Sequence, residues 1–479
     1  MHKRLITTLS LGLLIFSASA QSNDYLANIV KVIEPKTSQT GIVVRALGIE
    51  GQAKPATDNE YRKDAERLFV PASTMKLLTA VAATTALGRD FKFSTQIDAF
   101  VGIQNRRIEG DLFVRFDGDP TLTVSDLRQL FKQLQKQGLE HIDGNVYLVG
   151  DQQETLQAPG WVWDDLGICY AAPVSRYILN QNCVKAKLSP TLANNKTKLS
   201  FSQFEPVTIS NTAVFDKTGD IPFCELSLQR QSNNQFLLSG CHAGQKPLKL
   251  AIAISDPALY AQNSVTNMLA NLGITIKGKV LLTSKRPANT LLLAEHESKP
   301  LSALTDTMLL KSDNLIADSL LKRLGQQIYG VPGSFINGSA AMKQILMELG
   351  VELESANIVD GSGLSRYNLL SAEQLTQVLL LIKQHKELNF LIEQLPVAGH
   401  SGTLEYRSGY TTPPLKGAVL AKTGSMMGVA NLAGFIKEGS ELSKSFVILE
   451  NGHSPAVKKS ELSPFNVLFL QSMIQKAQP

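Results

Sequence analysis

The chain has 479 residues, too many for one compact domain, and predicts two or three units. Hydrophobic residues make up 43% and charged residues 19%, an ordinary globular balance that excludes disorder and collagen-like repeats. The net charge of +5 comes without a dense basic run, so nothing argues for nucleic acid, and at most a weak attraction to an anionic wall or membrane surface is expected.

Residues 1–20 read as a signal peptide. His2-Lys3-Arg4 gives a positive start, residues 5–16 are a short apolar run, and Ala18-Ser19-Ala20 fits the small-x-small cleavage rule. The run is too short to span a bilayer, no Cys follows the cleavage site to carry a lipid, and no later segment reaches transmembrane length free of charge. The mature protein is expected to be exported and soluble, in the periplasm or cell-wall space. Next, residues 24–33 have helical apolar spacing, and residues 41–47 read as a strand. A polar stretch over 51–67 follows. Residues 73–87 read as one helix from Ser73, free of Pro and Gly and buried all round.

From about 91 to about 286 the texture changes to short alternating runs separated by turns such as Asp117-Gly118-Asp119-Pro120, with few helices, one over 124–137. All four cysteines lie here: Cys169, Cys183, Cys224 and Cys241. They form no C-x-x-C pair and have no His at zinc spacing. In an exported chain an even count predicts disulfides. Of three pairings, Cys169–Cys183 and Cys224–Cys241 are favoured because each closes a short local loop. Helices return at 301–310, 314–324, 339–349 and 372–386. Strands over 418–422 and 429–435, joined through a Gly/Ser/Met turn, and 445–449 precede a closing helix over 464–475. The expected organisation is one α/β domain from 21–90 plus 287–479, with a β-rich insertion over 91–286 in two subdomains.

Ser73-Thr74-Met75-Lys76 is an S-x-x-K that opens a helix. Lys at i+3 lies one turn on, on the same face, where a neutral amine can take the Ser proton. The tetrapeptide alone is weak. Ser319-Leu320-Leu321-Lys322 repeats it, Ser232-Asn233-Asn234 competes with Ser312-Asp313-Asn314, and Lys217-Thr218-Gly219 competes with Lys422-Thr423-Gly424. Order and context decide. Only Ser73/Lys76, then Ser312/Asn314, then Lys422-Thr423-Gly424 combine a helix start, a break between helices and a strand that ends facing a hairpin partner.

This set resembles the signature of penicillin-recognising serine enzymes. The 239 residues from Ser73 to Ser312 resemble the large insertion of the low-molecular-mass class C penicillin-binding proteins, the peptidase S13 type of D-alanyl-D-alanine carboxypeptidase/endopeptidase. Pro159-Gly160-Trp161-Val162-Trp163, Asp360-Gly361-Ser362-Gly363-Leu364-Ser365-Arg366 and Leu395-Pro396-Val397-Ala398-Gly399 extend the resemblance over nearly all of the mature chain. It implies an α/β fold: an antiparallel sheet flanked by helices, carrying the insertion. It implies Ser73 as nucleophile, Lys76 as general base, and Ser312 with Lys422 returning the proton to the leaving group. Asn314 is implied to bind the substrate backbone, and Lys422, Thr423 and Ser425 its free carboxylate. Gly424 is implied to let substrate lie along the strand, and the backbone N–H groups of Ser73 and Ser425 to form the oxyanion hole. The implied partners are peptidoglycan stem peptides as substrate and β-lactams as inhibitors, with no metal and no organic cofactor. A serine β-lactamase and a non-catalytic wall-binding protein are the alternatives. The long insertion argues against the first, and the intact motifs against the second. His400 departs from the acidic or small residue often found in its run and is expected to be a neutral surface residue. Asp360-Gly361-Ser362-Gly363 reads as a tight turn bordering the cleft, and Trp161 and Trp163 as packing.

Overall fold

The computed structural model describes residues 25–47, 61–151, 154–191, 195–453 and 464–475. The expected signal peptide lies outside the described residues. Both ends of the chain build one antiparallel sheet. Its strands are β1 (Gln39–Ala46), β2 (Tyr61–Lys63), β3 (Val419–Met426), β4 (Val429–Glu438) and β5 (Glu441–Asn451), in the order β2-β1-β5-β4-β3. The inner strands are apolar on both faces because both faces are covered. Ile42, Val44, Phe446 and Ile448 pack with helix 25–33 and α6 (Phe465–Gln475). Val43, Val447 and Leu449 face the opposite layer of helices. That layer holds α1 (Lys76–Leu87), α2 (Leu301–Lys311), α3 (Asn314–Tyr329), α4 (Phe335–Glu348) and α5 (Ala372–Gln384). Helix α1 is the hub: every residue from Lys76 to Thr84 is buried, as expected of a helix apolar on nearly every side.

Three local expectations are revised. Ser73 does not open an α-helix: it lies in a 3-10 turn, Ala72–Met75, and α1 begins at Lys76. The Gly-Ser-Met turn is not a turn, because Gly424, Ser425 and Met426 pair with Asn431, Ala430 and Val429, and the chain reverses at Met427-Gly428. The polar stretch holds edge strand β2, which buries Tyr61 and ties Arg62 to Glu373 and Lys63 to Glu34. Such a short, charged edge strand leaves no alternating pattern to read.

The middle of the chain forms separate sheets with their own cores. One sheet runs in the order Val280–Thr283, Val146–Val149, Leu112–Arg115, Ser94–Ala99, Leu291–Glu297. It packs on helices Val124–Lys136 and Pro257–Leu272 through Val114, Leu130 and Tyr260. Its last strand lies beyond residue 286, where the sequence texture changes. A seven-stranded sheet includes Cys183–Thr191, Gln235–His242 and Leu248–Ala253. The cysteines pair as expected, Cys169–Cys183 and Cys224–Cys241. No described helix is long and apolar enough to cross a membrane.

Candidate active site

The turn that carries Ser73 is held against the sheet by two asparagines. Asn431 Nδ2 donates to the Val70 and Pro71 carbonyls at 2.9 and 2.8 Å, and Val70 N donates to Asn451 Oδ1 at 2.8 Å. The clamp is needed because Ala72 has φ 48°, a left-handed conformation that costs a non-glycine residue of order 1–3 kcal/mol. Gly363 meets the same residue: a Cβ on it would stand 1.9 Å from the Ala72 carbonyl oxygen. Ser312 is strained in the same way, with φ 58° at the C-terminal end of α2. Asp313 then caps α3 by accepting from Ile316 N at 3.0 Å, and Asn314 is the first residue of that helix. The S-D-N tripeptide is itself the break that turns Ser312 and Asn314 inward.

Lys76 joins the motifs. Its side chain is fully buried, and Nζ lies 2.9 Å from Ser73 Oγ, 2.6 Å from Asn314 Oδ1 and 2.6 Å from the Ser362 carbonyl oxygen. The last two can only accept. A neutral amine has two N–H groups and one lone pair, so those acceptors take both N–H groups and the lone pair faces the Ser73 hydroxyl. Burial pulls the Lys76 ammonium down to about 8, against the opposing charges of Asp318, Asp360 and Asp313. The amine is therefore available near neutral pH.

Two buried carboxylates hold the loop that supplies the Ser362 carbonyl. Asp318 Oδ1 accepts from Gly361 N and Ser362 N at 2.8 and 2.9 Å. Asp360 accepts from Gly363 N, Ser365 N, Asn368 Nδ2 and Trp161 Nε1 at 2.6–2.9 Å. Burial pushes the Asp318 carboxyl up to about 8, with Asp360 adding to the rise and Ser362 and Lys76 opposing it. The expected turn at 360–363 is present, but it is built around two acids that the sequence reading did not assign. Asp318 sits inside a helix among buried leucines, and Asp360 was hidden in a turn-forming run.

Lys422 is also fully buried, in the middle of β3 rather than at its end. Its Nζ donates to Ser312 Oγ at 2.9 Å and to the Thr423 carbonyl at 3.0 Å. Burial holds its ammonium well below the ordinary lysine range, and the positive charges of Lys76 and Arg407 deepen the shift. Two cations thus add to burial at Lys422, whereas three carboxylates work against it at Lys76. Thr423 Oγ1 lies 2.8 Å from Thr403 Oγ1, a partner missed in sequence. Ser425 is exposed on the same strand. Gly424 has a reason within the protein itself: a Cβ there would stand 2.7 Å from the Pro71 carbonyl oxygen. Asn314 Nδ2 donates to the Tyr170 carbonyl at 2.8 Å, so the inserted unit reaches this cluster.

Thus Ser73, Lys76, Ser312, Asn314 and Lys422 converge, and the competing motifs do not join them. Lys322 Nζ goes to Glu154 and to the Thr155 and Val174 carbonyls. Asn234 binds the backbone at Ser255 and Asp256, and the backbone around Gly219 wraps the Asp216 carboxylate. Trp161 packs edge-on to Phe335, centroids 5.9 Å apart, while Trp163 is exposed. His400 is exposed and lies over Gly417.

The sequence pattern of the D-Ala-D-Ala carboxypeptidase 3 (S13) family matches residues 26–471. The chain is 37% identical over 407 residues to D-alanyl-D-alanine carboxypeptidase DacB of Haemophilus influenzae, covering 84% of this chain and 85% of that protein. It is 29% identical to a D-alanyl-D-alanine carboxypeptidase of Actinomadura sp., over 83% of this chain and 76% of the other. The crystal structure of penicillin binding protein 4 from Haemophilus influenzae superposes with a TM-score of 0.85 at 33% identity, over 94% of this chain and 98% of that one. A second structure of that protein, complexed with a β-lactam, superposes at 0.82, with 32% identity and the same coverage.

Proposed function

This chain belongs to the D-Ala-D-Ala carboxypeptidase 3 (S13) family, and on that premise we propose that it cleaves the D-alanyl-D-alanine end of peptidoglycan stem peptides through an acyl-enzyme on Ser73. β-Lactams acylate the same oxygen. The observation that carries the reading is the Lys76 environment, in which two obligate acceptors leave the lone pair to Ser73 Oγ. Lys76 takes the hydroxyl proton as Oγ attacks the carbonyl of the penultimate D-alanine. Backbone N–H groups of Ser73 and Ser425 receive the oxyanion; one such donor is worth about 10²–10³ in rate. Ser312, bonded to Lys422, passes a proton to the departing D-alanine nitrogen as the C–N bond breaks, and the proton that Lys76 took from Ser73 replaces it, leaving both groups as they began. Water then attacks the ester and Ser73 regains its proton. Lys422, Thr423 and Ser425 receive the substrate carboxylate, and the remaining Nδ2 hydrogen of Asn314 its backbone. Cross-linked stem peptides are substrates of the same site, as an endopeptidase.

The leader pattern and the two disulfides support export to the periplasm or wall space. The second core supports a division into a catalytic unit, 21–90 plus 287–479, and an inserted unit, 91–286, although Phe93, Ala158, Val174 and Ile178 of the latter pack into the catalytic core. The pairing of Leu291–Glu297 with Ser94–Ala99 favours moving the second boundary to about residue 297. The test is intact mass after brief exposure to benzylpenicillin, followed by peptide mapping. A stable adduct on the Ser73 peptide, absent in Ser73→Ala, is expected. Penicillin consumed without an adduct would mean a β-lactamase, and penicillin left intact would mean a binding protein.

A further inference from the structure

The β-rich insertion reaches the reaction centre at the Tyr170 carbonyl, with Gln181 against Asp313 and Trp161 against Asp360 on either side of that contact in sequence. Asn314 Nδ2 donates to the Tyr170 backbone oxygen at 2.8 Å. A carbonyl only accepts, so it decides which end of the Asn314 amide it meets. With Nδ2 held there, Oδ1 faces Lys76 Nζ at 2.6 Å. Reversed, the amide would present N–H groups to Lys76, which a neutral amine can meet only with its lone pair. Ser73 would then lose its base.

Tyr170 is the middle residue of a three-residue 3-10 turn, Cys169–Ala171, too short to hold its own position. The turn is fastened from outside. Cys169, adjacent to Tyr170, is bonded to Cys183, the first residue of a strand in the seven-stranded sheet. Ala253 N donates to the Gly167 carbonyl at 3.1 Å, and the Tyr170 phenol bonds Asp165. The disulfide is the one covalent tie, a single residue from the carbonyl that touches Asn314.

We propose that the Cys169–Cys183 disulfide is a positioning element for acylation: it fixes the Tyr170 carbonyl, which sets the Asn314 amide, which aims the Lys76 lone pair at Ser73. The inference rests on the roles given above to Ser73 and Lys76. It also assigns the insertion a part in the reaction. The second disulfide supplies a matched control. Cys224–Cys241 spans 17 residues against 14, so the two loops constrain the unfolded chain similarly.

The experiment compares benzylpenicillin acylation rates across pH for wild type, Cys169→Ser/Cys183→Ser and Cys224→Ser/Cys241→Ser, with folding followed by circular dichroism. The first variant should acylate about ten-fold more slowly at the plateau, the worth of about one hydrogen bond. Its acidic limb should also move to lower pH, because an N–H group turned toward Lys76 disfavours the ammonium. The charged groups around Lys76 (Asp313, Asp318, Asp360 and Lys422) are unaltered in both variants. General loosening would lower the rate without moving the limb. The control pair should match wild type. A folded Cys169→Ser/Cys183→Ser protein with the wild-type rate and limb overturns the proposal, as does equal slowing by both pairs with no shift. If the variant does not fold, native wild type is treated with dithiothreitol until mass mapping shows Cys169 and Cys183 free, and the same profile is expected, restored on reoxidation. A rate that survives this reduction overturns the proposal equally. If wild type is not acylated at all, the reading of Ser73 fails first and takes this inference with it.

Discussion

Gly424 of β3 lies flush against Pro71, so that a Cβ on Gly424 would stand 2.7 Å from the Pro71 carbonyl oxygen and 3.2 Å from Thr74 Cγ2. The strand that carries Lys422 is thereby seated on the turn that carries Ser73. Gly424→Ala must displace one of them. Overpacking of this kind costs roughly 1–3 kcal/mol. A shift of about 1 Å at a reacting atom costs about 10² in rate. We expect a folded protein whose benzylpenicillin acylation, followed by stopped flow, is about 100-fold slower. A wild-type rate would mean that the turn does not need this contact.

Asp318 and Lys76 share one buried site, where burial raises the carboxyl and lowers the ammonium while each partner's charge opposes the other's shift. Asp318 acts against the desolvation of Lys76 by stabilising its ammonium. Asp318→Asn removes that charge and keeps an acceptor for Gly361 N or Ser362 N. The Lys76 proton should then leave at lower pH, so the acidic limb of acylation against pH moves down. Asp318→Ala also frees the loop and should lower the plateau. A limb that stays in place in Asp318→Asn would show that the carboxylate does not act on Lys76.

Asn431 makes two bonds that keep Ala72 in its strained conformation, and its Oδ1 accepts from Glu450 N at 2.9 Å. Asn431→Ala takes one donor from the Val70 and Pro71 carbonyls, which keep Asn451 and Thr74, and leaves the buried Glu450 N–H without its acceptor. Unsatisfied buried groups cost about 1–3 kcal/mol each. We expect a lower midpoint in urea, together with slower acylation because the turn can relax. Unchanged stability would mean that water replaces the amide.

The motif residues were legible because their chemistry demands particular types in a fixed order, and Ser73, Lys76, Ser312, Asn314 and Lys422 do meet. The strands and helices of the catalytic unit were legible because two-sided burial makes them continuously apolar, as in β5 and α1. The supports were not. Asp318 is one of three polar side chains, with Ser319 and Lys322, buried in its helix, and only the loop folded over it shows its role. The Tyr170 carbonyl carries no side-chain signal at all. Asn431 lies within an apolar strand where its clamp on Val70 and Pro71 spans more than 350 residues of sequence. Gly424 was read as room for substrate, whereas its nearest neighbour is Pro71.

Lys422 is a fully buried amine. Burial and the charges of Lys76 and Arg407 all push its proton off. A ligand carboxylate placed beside it would push the other way and raise its affinity for a proton. Binding should therefore take up a proton wherever the pH lies between the lowered value of the empty site and the raised value of the filled one. Calorimetry of Ser73→Ala with a D-alanyl-D-alanine peptide, in two buffers of different ionisation enthalpy, reads this directly. The same peptide ending in an amide should show no uptake. Lys422→Ala should abolish the uptake, weaken binding and slow acylation. If instead Lys422→Ala acylates with β-lactam at the wild-type rate, Lys422 neither receives the carboxylate nor helps return the proton, and Ser312 must act without it.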